Sequence, residues 1–107
     1  MNKPIWKIES IEDSNRKDKK YKIVFYNLES GNRIITHFGS KNSNTFIDHN
    51  DEKKKENYIK RHSVREKKTW FNKNMFYTPA TLSLYLLWHK KSLKEAVEYY
   101  KKHFNIL

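Results

Sequence analysis

A chain of 107 residues, 36% of them hydrophobic, has room for one domain and a modest core, and its 15% aromatic share excludes the composition of a disordered chain. A formal charge of +11, from 23 Lys and Arg against 12 Asp and Glu, opposes compaction and points to a polyanionic partner, most commonly nucleic acid. The lack of cysteine excludes disulfides and thiolate zinc sites; no signal peptide is expected from "MNKPIWKIES", and the longest apolar run, "LSLYLLW", is too short to cross a bilayer.

The first predicted strand is "PIWKIESI", with Trp6 and Ile8 on one face, followed by the basic connection "EDSNRKDKK". "YKIVFYNL" places Ile23 and Phe25 on one side and Val24 and Tyr26 on the other, so both faces are apolar, as in a central strand. "ESGNR" has hairpin-turn chemistry and "RIITHF" returns, giving a β-meander over residues 4–38. "GSKNSNT" is a loop by composition.

The period then changes. In "DHNDEKKKENYIKRHSVREKK", Asn50 or Asp51 is suited to cap a basic helix over residues 50–68, which contains neither Gly nor Pro. "TWFNKNMFY" is an aromatic connector. In "TPATLSLYLLWHK", Thr78 is the N-cap and Pro79 the first helical residue of a helix apolar nearly all round, hence buried. "SLKEAVEYYKKHF" opens with a capping box from Ser92 to Glu95 and turns Leu93, Ala96, Val97 and Tyr100 inward. These two C-terminal helices occupy residues 78–104. The expected fold is α+β: one domain over residues 1–107, a small three-stranded antiparallel sheet followed by three helices, the second of them between the sheet and the rest.

On the basic helix, Lys55, Tyr58, His62 and Glu66 recur at helical spacing and share a face. Glu66 is placed to accept a hydrogen bond from His62, with the Tyr58 ring beneath it, so Tyr58 and His62 are expected to hold the helix to the domain. The other face carries Lys53, Lys54, Lys60, Arg61, Arg65, Lys67 and Lys68, and Lys41 lies in the preceding loop. Lysine point charges and arginine forks are what phosphate binding requires, although a charge run is more often only a solvated face.

His37, His49 and His62, with Asp48 and Asp51 nearby, are the candidates for a metal site, but no spacing matches HxxxH or HExxH, and no cofactor is expected. His37 or His62 with Glu66 is the candidate acid–base pair, without an indicated nucleophile. Two single glycines, Gly31 and Gly39, exclude a glycine-rich phosphate loop.

The tracts "THFGSK", "FIDHNDEKKKENYIKRHSVRE" and "LSLYLLWHKKSLKEAVEYYKKHF" resemble a family of small uncharacterised proteins encoded by giant (nucleocytoplasmic large) DNA viruses. In that pattern a strand ends in H-F-G, an aromatic residue and D-x-x-x-K-x-x-Y-x-x-R-H-x-x-x-E follow, and a late L-W and a terminal Y-K-K-x-F complete it. Here the matching positions run from His37, Phe38 and Gly39 through Phe46, His49, Asp51, Lys55, Tyr58, Arg61, His62 and Glu66 to Trp88, Tyr100, Lys101 and Lys102. The resemblance implies a viral origin and an α+β fold, and no known activity. The Asn- and Lys-rich composition also suits an AT-rich viral genome.

The expected function is that of a basic, non-enzymatic protein binding DNA or RNA, associated with the virion or with the viral factory or nucleus of the host cell. The alternative is a structural adaptor whose basic face docks on an acidic capsid, core or host protein. Third comes a small histidine-dependent nuclease. No membrane partner is expected.

Overall fold

The computed structural model describes residues 3–107; Met1 and Asn2, the start of the stretch read above for a leader, lie outside the described residues. Strands β1 (Trp6–Asp13), β2 (Lys19–Asn27) and β3 (Arg33–Ser40) form an antiparallel sheet in the order β1-β2-β3, so β2 is central, as its two apolar faces require. On the covered face, Ile23 and Phe25 of β2 are fully buried opposite Thr36 and Ile34 of β3. On the other face the Arg33 guanidinium lies 4.9 Å from the Tyr26 ring centre and makes two 2.8 Å hydrogen bonds to Glu9.

A bulge shifts the β1 register between Ile8 and Ser10. It sets Ile8 opposite Phe25 and Ile11 opposite Ile23, three positions apart yet on one face. The alternation started by Trp6 and Ile8 therefore stops at Glu9. The β2–β3 turn closes because Asn27 Oδ1 accepts the amides of Glu29 and Ser30 while Gly31 takes φ +78°. Leu107 pairs with the outer edge of β1, its carbonyl accepting from the Ile8 amide at 2.7 Å.

After β3 comes a short helix, α1 (Phe46–His49), not foreseen in the sequence. Thr45 and Asp48 form its capping box, and Asn50 closes it at φ +53°. His49, just before the expected helix start at residue 50, thus ends a helical turn of its own, and Asn50 caps that turn and not the long helix. That role belongs to Asp51, whose carboxylate accepts the amides of Lys53 and Lys54 at the start of α2 (Glu52–Trp70). Helix α2 runs past the expected end at residue 68 because Trp70 is buried and its Nε1 donates to the Ala80 carbonyl at 3.2 Å.

A 3₁₀ turn (Lys73–Met75) leads to α3 (Pro79–Leu82), capped by Thr78, which continues without a break into a π-helical stretch (Ser83–Trp88). All five residues from Leu84 to Trp88 are buried. A run buried on every side needs neighbours on every side: β3 on one flank, α1 and α2 on another, and α4 (Leu93–Phe104) on a third. Ser92 caps α4 by accepting the Glu95 amide, and Ala96 and Tyr100 are its fully buried residues. Phe76 joins the layers, edge-on to Phe25 and 5.8 Å from Trp6. The architecture is α+β, a three-stranded antiparallel sheet followed by helices, with the apolar α3 segment at its centre.

Candidate functional site

Helix α2 is two-faced. At about 100° per residue, Lys53, Lys54, Lys60, Arg61, Arg65, Lys67 and Lys68 fall within one arc of about 160°, and all are exposed. None of them forms an ion pair among the described residues. The ion pairs there are Arg16–Asp18, Lys20–Asp48, Lys22–Glu12 and Arg33–Glu9, so four cations of the sheet side are matched while none of those in the α2 arc is. Two apolar residues interrupt the arc, Val64 at 86% exposure and Phe71 at 68%, and neither stood out in the sequence.

The opposite face docks. Tyr58 stacks on Trp88 at 4.3 Å between ring centres and 6° between planes, and His62 stacks on Tyr58 at 4.1 Å and 26°. The expected His62–Glu66 hydrogen bond is replaced by one from His62 Nδ1 to the Tyr58 carbonyl, at 3.0 Å. A carbonyl only accepts, so Nδ1 carries the proton and the lone pair of the neutral ring is on Nε2. Burial, helped by the Glu66 charge, pushes the Tyr58 hydroxyl up to about 12, which keeps it protonated. Lys55 donates to the His89 carbonyl at 2.9 Å, its ammonium 4.9 Å from the Phe46 ring centre.

Between α2 and the sheet lies a cleft of about 540 Å³ that brings together Arg61, His62 and Glu66 of α2, Asp18 and Lys19 at the start of β2, and Ser40 and Ser43 at and beyond the end of β3. Lys41 is exposed in that same loop. Lys19 and Arg61, the latter also a member of the arc, share this cleft with the carboxylates of Asp18 and Glu66. Gly39 lines it at φ +79°, and a Cβ there would stand 2.9 Å from Leu87 Cδ1.

The other histidines go elsewhere. His37 Nδ1 lies 2.7 Å from the Ser14 hydroxyl on β3's outer side, so it does not pair with Glu66. His49 Nδ1 accepts the Asp51 amide at 2.9 Å; its buried Nε2 has no partner among the described residues, and its ring packs edge-on against Phe46 and Trp88. His37, His49 and His62 are thus not gathered into one site. Among the described residues no group of three His, Asp or Glu side chains is arranged to hold a metal ion.

A second recess, of about 470 Å³, was missed from the sequence. It lies between α2, the π-helical stretch and α4, lined by Ser63, Lys67, Trp70 and Phe71 on one side and Tyr85, His89, Tyr99 and His103 on the other. Tyr85 and His103 stack at 5.2 Å and 29°, Tyr99 and His103 at 5.7 Å and 13°, and His89 lies 4.6 Å from Tyr99. Burial first, then neighbouring positive charge, holds the imidazoles of His89 and His103 below the usual histidine range. The signal was present as two Tyr-x-x-x-His pairs, 85/89 and 99/103, each at one-turn spacing.

A small α+β protein whose long helix turns unmatched cations outward is the class these observations define. The chain matches the model of a family of unknown function, DUF5754, over residues 9–62, half of its length, and it belongs to that family. The matched span begins in β1 and ends at His62, so it includes most of the sheet, α1 and the part of α2 that carries Tyr58 and Arg61. No curated protein and no solved structure matches the chain.

Proposed function

We propose that this protein is a basic, non-enzymatic nucleic-acid-binding protein that grips phosphates through the outward arc of α2. The observation that carries the reading is the set of exposed cations from Lys53 to Lys68 without ion-pair partners among the described residues, on a helix held from behind by Tyr58 and His62. The docked helix fixes where these side chains start, the planar arginine fork loses little freedom for each hydrogen bond it makes, and each phosphate neutralised releases counterions. The resemblance to small proteins of giant DNA viruses supports a place in the viral factory or nucleus, or in the virion, where DNA or RNA is the abundant polyanion. Among the described residues no helix is long and apolar enough to cross a membrane.

Anisotropy of a labelled oligonucleotide, titrated across salt, tests this. Affinity should fall by about a factor of 10³ or more between 50 and 200 mM salt for six or more phosphate contacts. A flat response, or no binding at low salt, overturns the reading. Exposed Val64 and Phe71 favour one competitor, an adaptor docked on an acidic viral or host protein, since interface centres are apolar. Pull-down from infected cells with and without nuclease separates the two: a nucleic-acid binder loses its co-purifying proteins on digestion, and an adaptor keeps one.

A further inference from the structure

We propose that the recess between α2, the π-helical stretch and α4 takes an unpaired nucleobase, which makes single-stranded nucleic acid the preferred form. The proposal rests on the phosphate-binding reading above and adds what that reading lacks, a surface that distinguishes strands from duplexes.

The recess has the shape and chemistry of a stacking site. Its accessible wall is the partly exposed ring pair Tyr99 and His103, 13° apart in plane with centres 5.7 Å apart, backed by the buried Tyr85, whose plane lies within 29° of both. Its 470 Å³ falls in the range of small-ligand sites. Every base has a π-face, so stacking of this kind tolerates any sequence.

Charge selects among flat ligands. No carboxylate lines the recess. Lys67 stands at its rim and the Lys90 ammonium lies 4.9 Å from the Tyr99 ring centre. A cationic guest of the kind held in aromatic cages is therefore repelled, whereas a neutral ring attached to a phosphate is matched. The other cleft differs, because Asp18 and Glu66 line it. Near neutral pH the largely uncharged imidazoles of His89 and His103 add little repulsion, and the His103 Nε2 edge already meets the Tyr85 hydroxyl at 3.4 Å.

Position connects the recess to the phosphate grip. Lys53, Lys60 and Lys67 follow one another at seven-residue intervals, about 10 Å along the helix axis, and form the edge of the arc next to Ser63 and Trp70, which line the recess. A strand whose phosphates follow this column presents its bases sideways to the ring walls. In a duplex the bases are paired inside and do not reach them.

The test compares a labelled oligothymidine strand with a duplex of equal length at one salt concentration, for the wild-type chain, Tyr99→Leu and Phe71→Ala. Thermal melting accompanies each variant, and Phe71, 68% exposed, keeps the test decisive where Tyr99→Leu fails to fold. The wild type should bind the strand more tightly than the duplex. Tyr99→Leu should weaken strand binding by about fivefold or more, with duplex binding and the salt slope unchanged, because stacking releases no counterions. Phe71→Ala should move in the same direction by about threefold. Equal binding of strand and duplex, or equal weakening of both, overturns this proposal and leaves the phosphate reading standing. No binding of either form overturns both. Thymidine monophosphate competing as strongly as the strand, base for base, overturns the assignment to a strand.

Discussion

Tyr58 and Arg61 sit three positions apart on α2 and have opposite roles. Tyr58 fills the space between Trp88 and His62, so Tyr58→Ala should destabilise the fold by about 3–5 kcal/mol in urea denaturation, with any weakening of binding tracking the unfolded fraction. Arg61→Ala combined with Arg65→Ala should leave the melting temperature nearly unchanged and flatten the salt slope of binding, for each phosphate that is no longer neutralised, by about 0.7 on a single strand or about 0.9 on a duplex. An unfolded double variant would make the arginines internal partners of Glu66 instead. Single residues also set the pH response. His89 and His103 bind protons more weakly when folded than at the ordinary value of 6.5, so below that pH the unfolded chain takes up more protons and stability falls with pH. Asp48 responds lower: burial alone would raise its carboxyl, but the Lys20 ammonium and the Thr45 amide and hydroxyl more than offset this, so its contribution is present above 3.8 and lost as pH falls through the lowered folded value. Urea midpoints measured from pH 7 downward should show a first decline beginning near 6.5, absent in a His89→Gln, His103→Gln variant that folds, and a second below about 4.

Among the elements, β3 meets the π-helical stretch at Gly39 without room for a side chain. Gly39 occupies a left-handed conformation, and any Cβ meets both Leu87 and Lys20 Cβ, the latter at 3.2 Å. Gly39→Ala should therefore cost about 2–4 kcal/mol, combining backbone strain with overpacking; chemical denaturation reads it, and a loss under about 1 kcal/mol would show that β3 shifts freely. How far elements were legible depended on whether their signals are local. Thr78–Pro79 and Ser92 mark helix starts by backbone chemistry within one turn, and the structure places those caps where the sequence does. The bulge at Glu9 was not legible, because only pairing with Phe25 and Ile23 makes Ile8 and Ile11 share a face. Helix α1 was hidden in a loop-like composition, since its Thr45–Asp48 box is followed by a single turn. The π-helical geometry of Ser83–Trp88 follows from packing on several sides, and no pattern within "SLYLLW" distinguishes it from an α-helix.

At the scale of the molecule, the docking face and the basic arc of α2 were readable because both follow from the period of one helix. The two recesses were not, because each is assembled from segments distant in sequence: the cleft from residues near 18, 40, 62 and 83, and the ring-walled recess from three helical segments. The same separation distributes the three tryptophans. Trp88 borders the cleft, Trp70 borders the ring-walled recess, and Trp6 packs on Phe76, lining neither. The protein thus carries an intrinsic optical reporter for each compartment, and a control. If a single strand enters between α2 and α4, the change it causes in indole emission should survive Trp88→Phe and Trp6→Phe and vanish in Trp70→Phe. The reverse dependence, on Trp88 alone, would place the guest beside Tyr58 and His62 instead.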